Sequence, residues 1–291
     1  MIKPSRVYQT AGAFRQALES RINTQAKTQG ELQRLRRLVA FDRLLARLFL
    51  DESSPWIVKG GYGLEVRYRM RARTTKDVDL ALPEVGSLTK NRDKLIQQWW
   101  NELQEAAARD VGDFFVMRIG EPRQEFDAPP EGGARFPVEV SLDQRIFAKF
   151  HLDVGIGDIV VDEPEWINGE EYLSFAGIPA ARFRIIPLAQ QLAEKVHSYT
   201  LPRRGSRNSR VKDLVDLILI LDQGPPAAAS VRSAVEATFE RRSTHPVPSA
   251  FSPPPATWAS SYTAVATELN LTQTTIEGAV VRLNGYWKTI F

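Results

Sequence analysis

VKGGYGLEVRYRMRARTTKDVDLAL, Val58 to Leu82, decides how the rest of the chain is read. Trp56-Ile57-Val58 is a short apolar run that ends in Lys59-Gly60-Gly61. A basic segment follows, and Asp77-Val78-Asp79 opens a second apolar run, Leu80-Ala81-Leu82. These runs and glycines predict a strand, a glycine turn, a short helix, a loop and a second strand that starts with two acids. On a strand, residues i and i+2 share a face about 7 Å apart, so Asp77 and Asp79 project together while Val78 points to the core. Two carboxylates brought to about 4 Å repel by roughly 4 kcal/mol at intermediate dielectric. A divalent cation is the usual offset, because hard cations take oxygen ligands. Glycines at a strand-to-helix turn let backbone N–H groups approach a phosphate.

The remainder of the chain limits the alternatives. Its 291 residues can build one large core or two modest ones, and 43% hydrophobic with 25% charged content is ordinary for a globular protein. Without cysteine, thiol nucleophiles, disulfides and Cys-ligated zinc are excluded. No apolar run is long enough to span a membrane, and MIKPSRVYQTAGAFRQALE lacks the apolar centre of a signal peptide. A cytoplasmic protein is expected. Net charge is only +3, yet Arg67, Arg69, Arg71, Arg73 and Lys76 crowd one segment. Arg203, Arg204, Arg207, Arg210 and Lys212 crowd another. Two local basic clusters in a nearly neutral chain suit a polyanionic ligand.

Periodicity divides the chain near residue 186. Residues 12–50 read as one helix whose wet side carries Glu31, Arg34, Arg37 and Arg43, and residues 88–110 read as a second amphipathic helix. Strands are expected at Phe114–Ile119, Phe136–Leu142 and Phe147–Val154, with QEFDAPPEGGA as a loop. Residues 155–175 read as a short strand and an acidic loop. Pro187 opens a region that is helical almost throughout. Helices there end at LPRRGSRNSR and at Gly224-Pro225-Pro226, and a Pro-rich stretch precedes Trp258 and one or two last helices. The expectation is an α+β fold in two lobes, a mixed sheet with flanking helices in 1–186 and a helical lobe in 187–291.

The helical region adds a second group of charges. Asp213 and Asp216 share one face of the very apolar helix Val211 to Leu221, and Lys195 edges the core stripe of the preceding helix. Buried charges need partners. One reading makes Lys195 and Asp213 an ion pair that locks two helices. The other has Lys195 neutralise phosphate charge while Asp213 orients a triphosphate or a hydroxyl.

In order, Gly-Gly, a helical turn and Asp-x-Asp resemble the signature of the nucleotidyltransferase superfamily. In that superfamily the acid pair binds magnesium and a later strand supplies a third carboxylate, here Asp153 in FHLDVG, with Glu139 as runner-up. Tyr62 departs from the small hydroxyl residue found in many members. Taken with QLAEKVHSY and SRVKDLVDL, the chain resembles the AbiEii family of toxin nucleotidyltransferases, which includes the mycobacterial MenT toxins. The resemblance implies a catalytic groove, Mg2+ (or Mn2+), a nucleoside triphosphate donor favouring pyrimidines, and a cognate antitoxin. It further implies a monomer that transfers a nucleotide to the 3′ acceptor end of tRNA and so blocks translation. Carried over by motif, Asp77, Asp79, Lys195 and Asp213 are catalytic, and Asp77, Asp79 and Asp153 hold metal. Lys59, Gly60, Gly61, Thr75, Lys76 and Arg210 face the nucleotide, and the arginine-rich middle of the opening stretch contacts RNA or triphosphate.

Competing chemistries fit less well. There is no G-x-S-x-G elbow and no Walker A segment, and three histidines (His151, His197, His245) make a multi-histidine metal site improbable. A small hydroxyl compound or a protein side chain as acceptor, or RNA binding without catalysis, are the alternatives.

Overall fold

A computed structural model of the chain describes residues 8–82, 92–122, 124–126, 132–202 and 210–291. It forms two compact units, one of residues 1–58, 75–157 and 166–185, the other of residues 59–74, 158–165 and 186–291.

The first unit is built on a mixed sheet. Its strands are β1 (Ile57–Lys59), β2 (Asp77–Ala81), β3 (Phe115–Ile119), β4 (Gln124–Phe126), β5 (Gly133–Leu142), β6 (Arg145–Gly155), β7 (Glu165–Asn168) and β8 (Arg182–Ile185). They lie in the order β3-β5-β6-β2-β1-β8-β7, with β4 paired to β5. β2 runs parallel to β6 and β1 parallel to β8, while β3, β4 and β6 are antiparallel to β5. The three strands expected between residues 114 and 154 are present. β4 corrects the loop expected at QEFDAPPEGGA, where three residues pair with Gly133–Arg135.

Residues 12–50 form two helices rather than one, α1 (Ala11–Gln25) and α2 (Gln29–Leu48). The break is a capping box: Thr28 Oγ1 accepts from the Glu31 N–H at 3.1 Å, and Glu31 returns a carboxylate to the Lys27 N–H at 2.6 Å. Leu38, Phe41, Leu45 and Leu48 of α2 are buried, and Phe41 meets Phe150 of β6 edge-on at 4.7 Å. Arg43, expected on the wet side, is 2% exposed. Its guanidinium bonds Asp42 and the Pro179 carbonyl, and Arg47 one turn on makes two 2.7 Å bonds to Asp113. A helix that meets acids and carbonyls on several sides can bury its arginines. Trp99 of α4 (Arg92–Ala107) packs near Trp56 with ring centroids 6.4 Å apart; residues 88–91 of that expected helix lie outside the described residues.

The second unit is helical: α3 (Gly60–Tyr68), α5 (Leu188–Thr200), α6 (Val211–Gln223), α7 (Ala228–Arg242), α8 (Ala259–Glu268) and α9 (Ile276–Trp287). Residues 59–74 group here rather than with the sheet because Leu64 and Ala72 enter the core formed by Leu192, Val196, Leu217 and Leu283. Gly60 has φ 66°, which only glycine adopts cheaply, and the turn starts α3 as expected. Trp258 is buried, and Asn284 holds Phe251 of the Pro-rich stretch through both its backbone groups. Among the described residues no helix is long and apolar enough to cross a membrane.

Asp113 is fully buried and serves two arginines. Asp113→Ala leaves Arg47 without its acid, while Arg43 keeps Asp42, and should cost about 3–5 kcal/mol. Urea unfolding of the variant against wild type checks this.

Candidate active site

Register lays out the acids of the first unit. Even-numbered residues of β5 and β6 (Phe136, Val138, Val140, Phe150, Leu152 and Val154) are buried, so odd-numbered ones share the open face. Three cross-strand rows result. Asp77 lies beside His151 and Pro137, Asp79 beside Asp153 and Arg135, and Lys149 beside Glu139 and Arg118. Asp77, Asp79 and Asp153 therefore occupy neighbouring positions. Glu139 sits four residues along the strand from the row of Asp79, about 13 Å away, and forms a 2.7 Å ion pair with Lys149.

Both oxygens of Asp153 are taken by Arg135, whose Nε and Nη2 donate at 2.8 and 2.6 Å. The same guanidinium approaches Asp77 Oδ2 at 3.8 Å, and His151 Nδ1 lies 3.2 Å from Asp77 Oδ1. The hydrogen bonds to Asp153 raise the Arg135 pKa, and the charges of Asp77 and Asp79 add to the rise. Among the described residues no three His, Asp or Glu side chains are gathered as a metal-holding group. The donor chemistry of Asp77 and Asp79 fits a hard cation, since both are half-buried carboxylates on one face. Asp153 as placed fits an arginine instead. Thr75 is buried and donates to the Asp77 carbonyl at 3.2 Å, whereas Lys76 is exposed.

In the second unit Lys195 lies between two acids of α6, 3.1 Å from Asp213 Oδ1 and 2.8 Å from Asp216 Oδ2. Arg73 holds Asp216 from the other side with bonds of 2.9 and 2.8 Å. Burial would lower the Lys195 pKa, but Asp216 and Asp213 outweigh it and the net shift is upward. Burial would raise Asp216, and Lys195 and Arg73 more than reverse it. The ion pair read as a helix lock is present, and Asp216 and Arg73 extend it. Asp213 Oδ2 is buried and accepts no hydrogen bond among the described residues, with Arg210 Nη1 3.6 Å away. One carboxylate oxygen of the pair thus has an ion-pair neighbour but no hydrogen bond among the described residues.

Three arginines expected to meet RNA or triphosphate are committed elsewhere. Arg67 bonds Glu165 and the Ile186 carbonyl, Arg71 bonds Gln223, and Arg73 bonds Asp216. Arg203, Arg204 and Arg207 lie outside the described residues. Lys59, expected at the nucleotide, pairs with Asp158 and lies 3.8 Å from Glu194. Arg242 bonds the other Asp158 oxygen at 2.9 Å. Gln191 donates to the Gly60 carbonyl at 2.6 Å and so fixes the glycine turn. Tyr62 is 2% exposed and is a packing residue. Arg135, Asp158, Gln191 and Arg242 carry no motif; only the alternation of β5 marked Arg135 as sharing a face with other charges.

The fold and the acid pair define a nucleotidyltransferase-type protein. The family model described as "Nucleotidyl transferase AbiEii toxin, Type IV TA system" matches residues 43–277, and the chain belongs to that family. Among solved structures it is similar to MenT4, a nucleotidyltransferase toxin of Mycobacterium tuberculosis, at 16% identity and TM-score 0.55, covering 97% of this chain and 98% of that one. A nucleotidyltransferase from H. pylori described as putative matches at 13% identity and TM-score 0.45, covering 88% and 92%. No curated protein matches the sequence.

His197 is buried, 2.8 Å from Thr244 Oγ1 and 3.3 Å from Arg242 Nη1. Burial first, then the charge of Arg242, lowers its pKa to about 3, and burial lowers that of His245 as well. The unfolded chain then binds a proton near pH 6.5 that the native state refuses, so stability is full above that pH and falls as pH drops below it. The urea midpoint should decline from pH 7 to pH 5, and His197→Gln should flatten that decline.

Proposed function

We propose that the chain transfers a nucleoside monophosphate from a nucleoside triphosphate to the 3′-terminal hydroxyl of tRNA, and so acts as the translation-blocking toxin of a toxin–antitoxin pair. What carries this reading is the placement of Asp77 and Asp79 on one open strand face, in a chain of the AbiEii family. The acceptor hydroxyl gives its proton to solvent as its oxygen bonds to the α-phosphorus, and the bond from that phosphorus to the bridging oxygen breaks, releasing pyrophosphate. Asp77 and Asp79 would hold a divalent cation, magnesium or manganese, whose charge offsets that of the phosphates.

The other roles belong to the protein's own groups. Lys195, kept protonated by Asp213 and Asp216, presents a fixed positive charge to phosphate oxygens. Asp213 accepts a ligand hydroxyl or N–H on Oδ2, the oxygen that carries no hydrogen bond among the described residues. Gly60 and Gly61 offer backbone N–H groups to phosphate, Lys76 and Arg210 add charge, and Thr75 steadies the backbone of Asp77. Arg135 takes the third-carboxylate position into the protein's own charge balance by neutralising Asp153. A cognate antitoxin, a pyrimidine triphosphate and a monomeric cytoplasmic enzyme complete the reading.

Purified protein incubated with tRNA, magnesium and each labelled triphosphate in turn tests it. Wild type should label RNA, most strongly from one pyrimidine triphosphate. Asp77→Ala should lose at least about a hundredfold in rate, on the scale at which removal of one stabilising contact acts in other enzymes. Labelling by Asp77→Ala at the wild-type rate, or labelling of a small hydroxyl compound in place of RNA, would refute the assignment.

A further inference from the structure

The open face of β5 and β6 borders a cleft of about 730 Å³ that reaches from Asp77, Lys76 and Arg135 to residues with no part in the chemistry assigned so far. Among the described residues, five basic side chains line it, Arg37, Lys76, Arg118, Arg135 and Lys149, with two acids, Asp77 and Glu139. The excess is positive even though Arg135 is spent on Asp153 and Lys149 pairs with Glu139. That second pair is weak in water, because the side chains of Lys149 and Glu139 are 62% and 39% exposed. Lys149 can therefore exchange Glu139 for a phosphate at little cost.

The layout suits a strand of phosphates better than one anion. Lys149 and Arg118 occupy the row farthest from the acid pair, and Asp77 and Lys76 lie at the near end. Along the strands the outer row lies two residues, about 7 Å, from the row of Asp77, and across the sheet Arg118 and Lys149 are two strands apart, roughly 10 Å. A lone triphosphate needs converging donors, whereas these come from α2, β3, β6 and the approach to β2 and are spread across the strands. Gly120 and Pro137 form part of the wall at close quarters; a Cβ on Gly120 would meet Pro137 Cγ at 2.9 Å. Among the described lining residues Phe150 is the only aromatic ring apart from the imidazole of His151, and it is buried, so these residues offer no platform for stacking bases. Contacts of this kind position a backbone and do not read sequence.

We infer that this cleft binds the phosphate backbone of the single-stranded 3′ end of an RNA acceptor and leads its terminal hydroxyl to Asp77. This rests on the nucleotidyl-transfer reading above and names the acceptor's subsite within it.

Arg118 and Lys149 are both exposed, so Arg118→Ala/Lys149→Ala should fold, and circular dichroism checks that. Fluorescence anisotropy with labelled tRNA across a salt series reads the effect. Losing two phosphate contacts should weaken RNA binding on the order of tenfold at moderate salt and lower the log–log salt slope by about 1.4. The Kd for nucleoside triphosphate should not change. A single-stranded oligoadenylate should compete for the site as well as one carrying the tRNA 3′ sequence. Unchanged RNA affinity and slope in the double variant would overturn the cleft assignment while leaving transfer intact, provided wild type still labels RNA. Reduced triphosphate affinity with unchanged RNA affinity would make the cleft a donor site and also overturn it. If wild type labels no RNA at all, the transfer reading itself fails, a result independent of the binding comparison.

Discussion

Three carboxylates at neighbouring positions on one sheet face cannot stand without positive charge beside them. Asp77, Asp79 and Asp153 are brought together by backbone pairing alone, because the β2–β6 register puts Asp79 beside Asp153. The repulsion is then answered one strand further out, where the β5–β6 register delivers Arg135 opposite Asp153. A two-oxygen, two-nitrogen contact of 2.6–2.8 Å neutralises one acid firmly. Asp77 keeps looser contacts, with the same guanidinium 3.8 Å away and His151 Nδ1 at 3.2 Å. A slip of one residue in either pairing would send Asp153 or Arg135 to the core side, so the register of the sheet core and the charge balance of the face constrain each other.

The helical unit solves the same problem by a different geometry. An acid inside an apolar helix has no sheet row to supply a partner, so α6 draws one cation from α5 and another from the segment that follows α3. Lys195 and Arg73 together hold Asp216 ionised, and Asp216 in turn keeps Lys195 charged beside Asp213. Lys59, Asp158, Arg242 and Glu194 repeat the pattern around the residue that leads into the glycine turn. Breaking one member of such a set exposes the others to the full cost of burial, which makes these networks rigid supports.

Local rules carried much of this into the sequence. The strand, glycine turn, helix and acid-led strand of Val58 to Leu82 follow from run length, glycine and alternation, and they form as expected. The break between α1 and α2 is also written locally, in Thr28 and Glu31 and in the polar run from Asn23 to Glu31, whereas the helical period that suggests one helix starts only at Leu32. β8, with its sequence RFRI, alternates over only four residues, too few for periodicity to separate a strand from a connection. Arg43, Arg67, Arg71 and Arg73 expose the harder limit. Whether an arginine is solvated or buried depends on an acid or carbonyl far away in sequence, 136 residues distant for the bond from Arg43 to Pro179. Periodicity has no access to that partner.

The same consideration separates the cations that support the fold from those available to a ligand. Arg67, Arg71 and Arg73 leave a helix end and a turn that pack against other helices, where Glu165, Gln223 and Asp216 await them. Arg118 and Lys149 leave strands on whose outer face no buried acid meets them among the described residues, and both stay exposed. Identical chemistry thus has opposite uses according to what covers the element that bears it. A crowd of arginines in sequence points to phosphate only after those with internal partners are removed. Here that subtraction moves the basic surface from the opening stretch to the open face of the sheet, next to Asp77.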